Sequence, residues 1–176
     1  VRFHLENGTN GIVPCGTTGE AVTLTRQEWE QVITVTIEEV DGRIPVIAGA
    51  GTNDTAKTID MTRYAKSAGA DGALIVTPYY NKPTQRGLIA HYTEIAQKVD
   101  IPLVVYTVPG RTGANVLPET LAELARLDTI VAVKEASGDL EQIALIGALC
   151  EDRITILSGD DTLTLPILSV GGQGVI

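Results

Sequence analysis

Seven short apolar runs recur along the chain, at residues 11–15, 45–49, 72–78, 102–108, 130–134, 154–158 and 174–176. Roughly 20–30 residues separate them, the length of a βα unit. The runs are nearly continuous in apolar residues and do not alternate, which marks strands covered on both faces. Between them the apolar positions switch to helical spacing. Thr25 stands before Arg26-Gln27-Glu28-Trp29, with Glu28 placed to close a capping box. Residues 55–68 carry a helical pattern that stops at Gly69, a suitable residue just past a helix end. Residues 86–99, 118–127 and 140–149 repeat the pattern, and Pro118 suits a first helical turn.

Strands alternating with helices predict a parallel sheet covered by helices. An open doubly wound sheet and a closed (β/α) barrel both fit that order. No G-x-G-x-x-G follows the first run, which weakens a dinucleotide-binding open sheet. Polar and reactive residues instead follow the C-terminal end of nearly every run: Gly16-Thr17-Thr18, Tyr79-Tyr80, Tyr106 with Arg111, Lys134-Glu135 and Gly159-Asp160-Asp161. A barrel brings those ends to one mouth, so the expectation is an α/β chain of the (β/α)8 TIM-barrel class. Seven runs are present where eight strands are needed. The chain also opens on Val1 within what reads as a first helix. Residues 1–176 are therefore expected to be a single barrel domain incomplete at both ends, without its first strand and C-terminal helices. An inactive fragment is one reading of that.

Composition narrows the chemistry. Apolar residues make up 44% and charged residues 20%, values of a globular chain rather than a disordered one. A net charge of −9 with no basic stripe argues against nucleic acid as a partner. No apolar run reaches membrane-spanning length, and cytoplasmic location is the default expectation. Cys15 and Cys150 lie far apart, without metal or redox spacing, and read as buried free thiols. No metal-ligand pattern surrounds His4 or His91.

Lys134 is the most informative single residue. It ends the apolar run Ile130-Val131-Ala132-Val133, where a lysine is costly to desolvate. Burial lowers a lysine pKa, and a neutral lysine attacks carbonyl carbons. Reaching out to solvent, or pairing with Glu135 or Glu20, is the alternative reading. Thr17 and Thr18 lie on a loop whose N–H groups suit a carboxylate, and a threonine hydroxyl both donates and accepts. Tyr79, Tyr80 and Tyr106 are three of five tyrosines, all at strand ends, where a phenol near a cation serves as acid or base. Arg111, on Pro109-Gly110-Arg111-Thr112-Gly113, offers a fork for a carboxylate or is a solvated loop charge. Asp160-Asp161 fits a turn better than a metal site. Gly171-Gly172-Gln173-Gly174 also permits a phosphate-binding barrel without imine chemistry.

Taken in order, Gly16-Thr17-Thr18-Gly19-Glu20, Val76-Thr77-Pro78-Tyr79-Tyr80-Asn81-Lys82-Pro83, Tyr106 through Thr112, Val133-Lys134-Glu135-Ala136, Ser158-Gly159-Asp160-Asp161 and Gly171 through Ile176 resemble the dihydrodipicolinate synthase and N-acetylneuraminate lyase family of pyruvate-dependent class I aldolases. The resemblance covers essentially the whole chain. It implies that Lys134 forms an imine with pyruvate, and that Tyr106, Thr17 and Tyr80 relay protons, Tyr80 from a neighbouring subunit. It further implies that Thr18 holds the pyruvate carboxylate, Arg111 the carboxylate of aspartate semialdehyde, and Ile176 a backbone carbonyl near the pyruvate-derived group. A homotetramer built from dimers, and chemistry that needs no cofactor or metal, follow from the same resemblance. The synthase pattern fits better than the sugar-acid lyases, which remain the alternative. Two departures stand out. Thr107 replaces an asparagine usual after the tyrosine, which bears on substrate preference. Lys57 and Trp29 replace a glutamate and a histidine of lysine-inhibited relatives, although Asn53 and Tyr79 match, which implies weak or absent lysine feedback.

Overall fold

Local capping fixes where the helices begin. In the computed structural model, which describes residues 1–176, Thr25 accepts from the Glu28 N–H while the Glu28 carboxylate accepts from the Thr25 N–H at 2.8 Å, the expected capping box. Helix α2 (Arg26–Val40) follows, after a short α1 (Arg2–Glu6) and a 3-10 turn at Ala21–Thr23. The carboxylate of Asp54 accepts from the Lys57 N–H and starts α3 (Thr55–Ala68), which stops at Gly69 with φ +97°. Thr84 starts α4 (Gln85–Lys98), and Asp139 starts α7 (Leu140–Cys150). Pro118 occupies the first turn of α6 (Pro118–Leu124) as expected. Two short helices were not legible as such: α5 (Pro109–Thr112), in a stretch that reads as a glycine-rich loop, and α8 (Thr164–Ser169).

The strands are β1 (Ile47–Gly49), β2 (Gly72–Val76), β3 (Leu103–Thr107), β4 (Ile130–Glu135), β5 (Thr155–Ser158) and β6 (Gly174–Val175). They form one parallel sheet whose spatial order is the sequence order, β1 through β6. A doubly wound sheet reverses its strand order at a switch point; this sheet has none, as barrel winding requires.

The strand count differs from expectation: six strands form, not seven. Residues 11–15 run beside β1 but make only one bridge, Ile12 with Val46, supported by Ile12 N–H to Pro45 O and Ile47 N–H to Ile12 O, each at 2.9 Å. Pro14 has no N–H to donate, and Cys15 sits at φ +57°, turning the chain away from the ladder.

Two apolar layers result. The larger packs the helices on one face of the sheet and includes Trp29, Ile33, Tyr92, Ile95, Val105, Val133 and Ile146. The smaller, Leu74, Val104, Tyr106, Val108 and Ala132, lines the opposite, concave face. Alternation along each strand assigns side chains to these layers, so Tyr106 and Lys134 fall on the concave side while Thr107 and Glu135 face the helices.

Candidate active site

Parallel pairing sets the centre of the site. Tyr106 of β3 and Lys134 of β4 are register partners, and their side chains share the concave face. The Lys134 ammonium lies 4.5 Å from the centroid of the Tyr106 ring, within cation–π range. Tyr106 is buried and Lys134 half-buried. Burial pushes the Lys134 pKa down; the charge of Asp161 acts in the opposite sense. Glu135 does not pair with the lysine, because its carboxylate is held behind the sheet by Gln142 at 2.7 Å and by the Ser137 N–H at 3.0 Å. The glycine at 159 lets the lysine stem pass: a Cβ there would meet Lys134 Cε at 3.0 Å.

Beside this pair lies a cavity of about 220 Å³, sized for a small organic molecule, with Thr17, Tyr79, Tyr106 and Arg111 in its wall. Close backbone approach shapes it. A Cβ at Gly51 would overlap the Val76 nitrogen, and one at Gly49 the Cys15 carbonyl, so both positions need glycine. Thr17 stands in the turn after Gly16, closed by Glu20 N–H to Thr17 O at 3.1 Å. Arg111 sits on α5, and the adjacent Thr112 fixes that turn. Thr112 accepts from the Thr77 hydroxyl at 3.2 Å and donates to the Ala114 carbonyl at 2.9 Å. Cys15 also lines the cavity, but burial pushes its thiol up to about 11, which keeps it protonated and a poor nucleophile.

The structure thus gathers Thr17, Tyr106 and Arg111 at one cavity, with Lys134 against its Tyr106 wall. Lys134 itself, Thr18, Tyr80 and Ile176 are not in that wall. Thr18 is solvent-exposed beside Thr17. Ile176 ends the chain beyond β6, its N–H bonded to the Ser158 carbonyl at 2.9 Å. Tyr80 is 90% exposed with φ +72°, a strained setting for a large side chain. Asp160 accepts from the N–H and hydroxyl of Thr162, the expected turn role. The Thr107 side chain is fully buried on the helix face, donating to Asn115 at 3.1 Å, and does not line the cavity.

Trp29 is buried, and its indole N–H donates to the Gly49 carbonyl at 2.8 Å. A smaller cavity of about 120 Å³ lies between Trp29, Lys57 and Tyr79.

Fold and site together define a class: a parallel α/β half-barrel with its polar side chains gathered at the C-terminal rim of the sheet. The chain belongs to the dihydrodipicolinate synthetase family, whose sequence model matches residues 1–176. It is 58% identical to the 4-hydroxy-tetrahydrodipicolinate synthase of Syntrophobacter fumaroxidans over 176 residues, which is 100% of this chain and 60% of that protein. Among solved structures, dihydrodipicolinate synthase from Aquifex aeolicus superposes with a TM-score of 0.98 at 48% identity, covering 99% of this chain and 60% of that one. The Cyanidioschyzon merolae enzyme, solved with lysine bound, superposes with a TM-score of 0.96 at 47% identity, covering 99% and 59%. The chain therefore spans about 60% of the length of the relatives it matches.

Proposed function

We propose that the full-length protein is a 4-hydroxy-tetrahydrodipicolinate synthase, condensing pyruvate with L-aspartate 4-semialdehyde on the route to lysine and diaminopimelate. The observation that carries this is the half-buried Lys134 amine against the ring of Tyr106, which itself joins Thr17 and Arg111 in the wall of one small cavity. Family membership over residues 1–176 supports the same reading.

The neutral Lys134 amine attacks the keto carbon of pyruvate. A carbinolamine forms, water leaves, and a protonated imine remains. The imine acidifies the adjacent methyl group, and loss of a proton gives an enamine. Its carbon attacks the semialdehyde carbonyl, whose oxygen takes up a proton. Tyr106 and Thr17 move those protons, with Tyr80 of a neighbouring subunit as the third member of the relay. Tyr80 is exposed on a left-handed backbone and so is open to a neighbouring subunit; the homotetramer rests on the family resemblance. Thr18 binds the pyruvate carboxylate, Arg111 that of the semialdehyde, and the Ile176 carbonyl faces the pyruvate-derived group. Holding both acids in place lowers the entropic cost of joining them.

Residues 1–176 are one (β/α) barrel domain that further strands complete. The length of its relatives and the free edge of β6 support this. A cytoplasmic setting fits the two buried free thiols.

A condensation assay tests the proposal. The full-length protein should consume pyruvate and aspartate semialdehyde together. Lys134→Arg, which keeps the charge but not a neutral amine, should lose at least about a thousandfold in kcat. Arg111→Ala should weaken turnover chiefly through the semialdehyde KM. Activity with sugar acids alone, or an active Lys134→Arg protein, contradicts it.

A further inference from the structure

The side chains directly behind the reactive pair form a second constellation. Thr107 follows Tyr106 and Glu135 follows Lys134, and these two are themselves register partners. Strand alternation points both toward the helices. There they join one chain of hydrogen bonds. The Thr107 hydroxyl donates to Asn115 Oδ1 at 3.1 Å and accepts from the Val116 N–H at 3.2 Å. Asn115 Nδ2 donates to Gln142 Oε1 at 2.6 Å, and Gln142 Nε2 donates to Glu135 Oε1 at 2.7 Å and to Asn115 Oδ1 at 3.3 Å. The Ser137 N–H closes the far end on Glu135 Oε2 at 3.0 Å.

Thr107 and Glu135 are fully buried beside the apolar residues of the helix-facing layer. A carboxyl group there is expensive, and apolar residues of the same volume stabilise such a position as well or better. What a fully satisfied polar network supplies is fixed geometry. Here it ties the end of β3, the end of β4 and the segment just after α5, where Arg111 sits, to one helix, α7. Gln85 of α4 anchors the same node by donating to the Asn115 carbonyl at 2.8 Å.

We propose that Thr107, Asn115, Gln142 and Glu135 are positioning residues: a clamp behind the sheet that holds Tyr106 and Lys134 at the spacing imine chemistry needs. This rests on the role given to Lys134 above. A shift of about 1 Å in a reacting group costs on the order of a hundredfold in rate, and slippage between the ends of β3 and β4 produces such a shift. The clamp gives Thr107 a part in the site without contact with the cavity.

The test is single-turnover trapping of pyruvate by borohydride on the full-length protein, with rate, pyruvate dependence and melting temperature followed for each variant. Thr107→Val exchanges the hydroxyl for a methyl and should slow trapping at saturating pyruvate about tenfold, with half-saturation changed less than about threefold. Thr107→Ser should return the rate to within about twofold of wild type, because it restores the donor. Thr107→Val combined with Glu135→Gln should be no slower than the slower single variant, since both break one network. If Glu135→Gln does not fold, Thr107→Val and Thr107→Ser decide alone. Wild-type trapping rates in Thr107→Val, whatever its melting temperature, or single effects that multiply in the double variant, overturn the clamp. A wild-type protein that traps no pyruvate overturns the role of Lys134 and the clamp with it.

Discussion

At the residue scale, environment decides what each ionisable group can do. Lys134 is depressed by burial, Glu135 is raised by burial, and the two lie on opposite faces of one strand. His91 is a third case, outside the site. It is buried, its Nδ1 meets the Thr55 hydroxyl at 2.9 Å, and its Nε2 has no partner. Burial pushes its pKa down to about 4 from 6.5, against a weaker upward pull from Asp54. Between those values the unfolded chain binds a proton that the native ring does not, so acid favours unfolding. Stability should therefore fall as pH drops from about 6.5 to about 4, by up to about 1.4 kcal/mol per pH unit from this group. Urea titrations of wild type and His91→Gln across that range check it; equal slopes contradict it. Much at this scale was legible. Lys134 announced itself by ending an apolar run, and the Thr25 and Glu28 box is a local pattern. The two-residue period from Tyr106 turns Thr107 to the helix side, where it donates to Asn115. Glu135 and Gln142 were not readable as partners, because Gln142 reaches the strand only through the packing of α7.

At the element scale, the strand positions followed from apolar runs because each strand is covered on both faces. The first run failed to become a strand for a backbone reason: one missing donor at Pro14 and one left-handed residue at Cys15. Helix α5 was hidden by Pro109 and Gly110, which read as a loop, yet proline suits a first turn and Thr112 pins the end. The tight crossing of the segment after β1 over β2 depends on Gly51. A methyl group there meets the backbone of Ile75 and Val76, which cannot swing aside. Gly51→Ala should cost about 2–3 kcal/mol in stability and shrink the cavity beside Tyr106. Chemical denaturation measures it, and a change below about 0.5 kcal/mol contradicts this packing.

At the scale of the whole molecule, sequential winding brings the strand ends to one rim, and this was legible from the polar residues that follow each run. Tyr80 stands outside that gathering: it is 90% exposed, and the role proposed for it depends on a neighbouring subunit covering it. Regulation belongs to this scale too. Trp29 spends its only donor on Gly49, and Lys57 carries the charge of a lysine ligand. The full-length protein should keep its activity in micromolar lysine, and half-inhibition there would contradict that reading. The proposed chemistry turns on Lys134, which reductive trapping probes in the intact protein. The full-length protein, incubated with pyruvate and borohydride, should gain the mass of one reduced pyruvyl group per chain, and peptide mapping should place it on Lys134. A folded, complete protein with no added mass, or with the adduct on another lysine, would contradict the account.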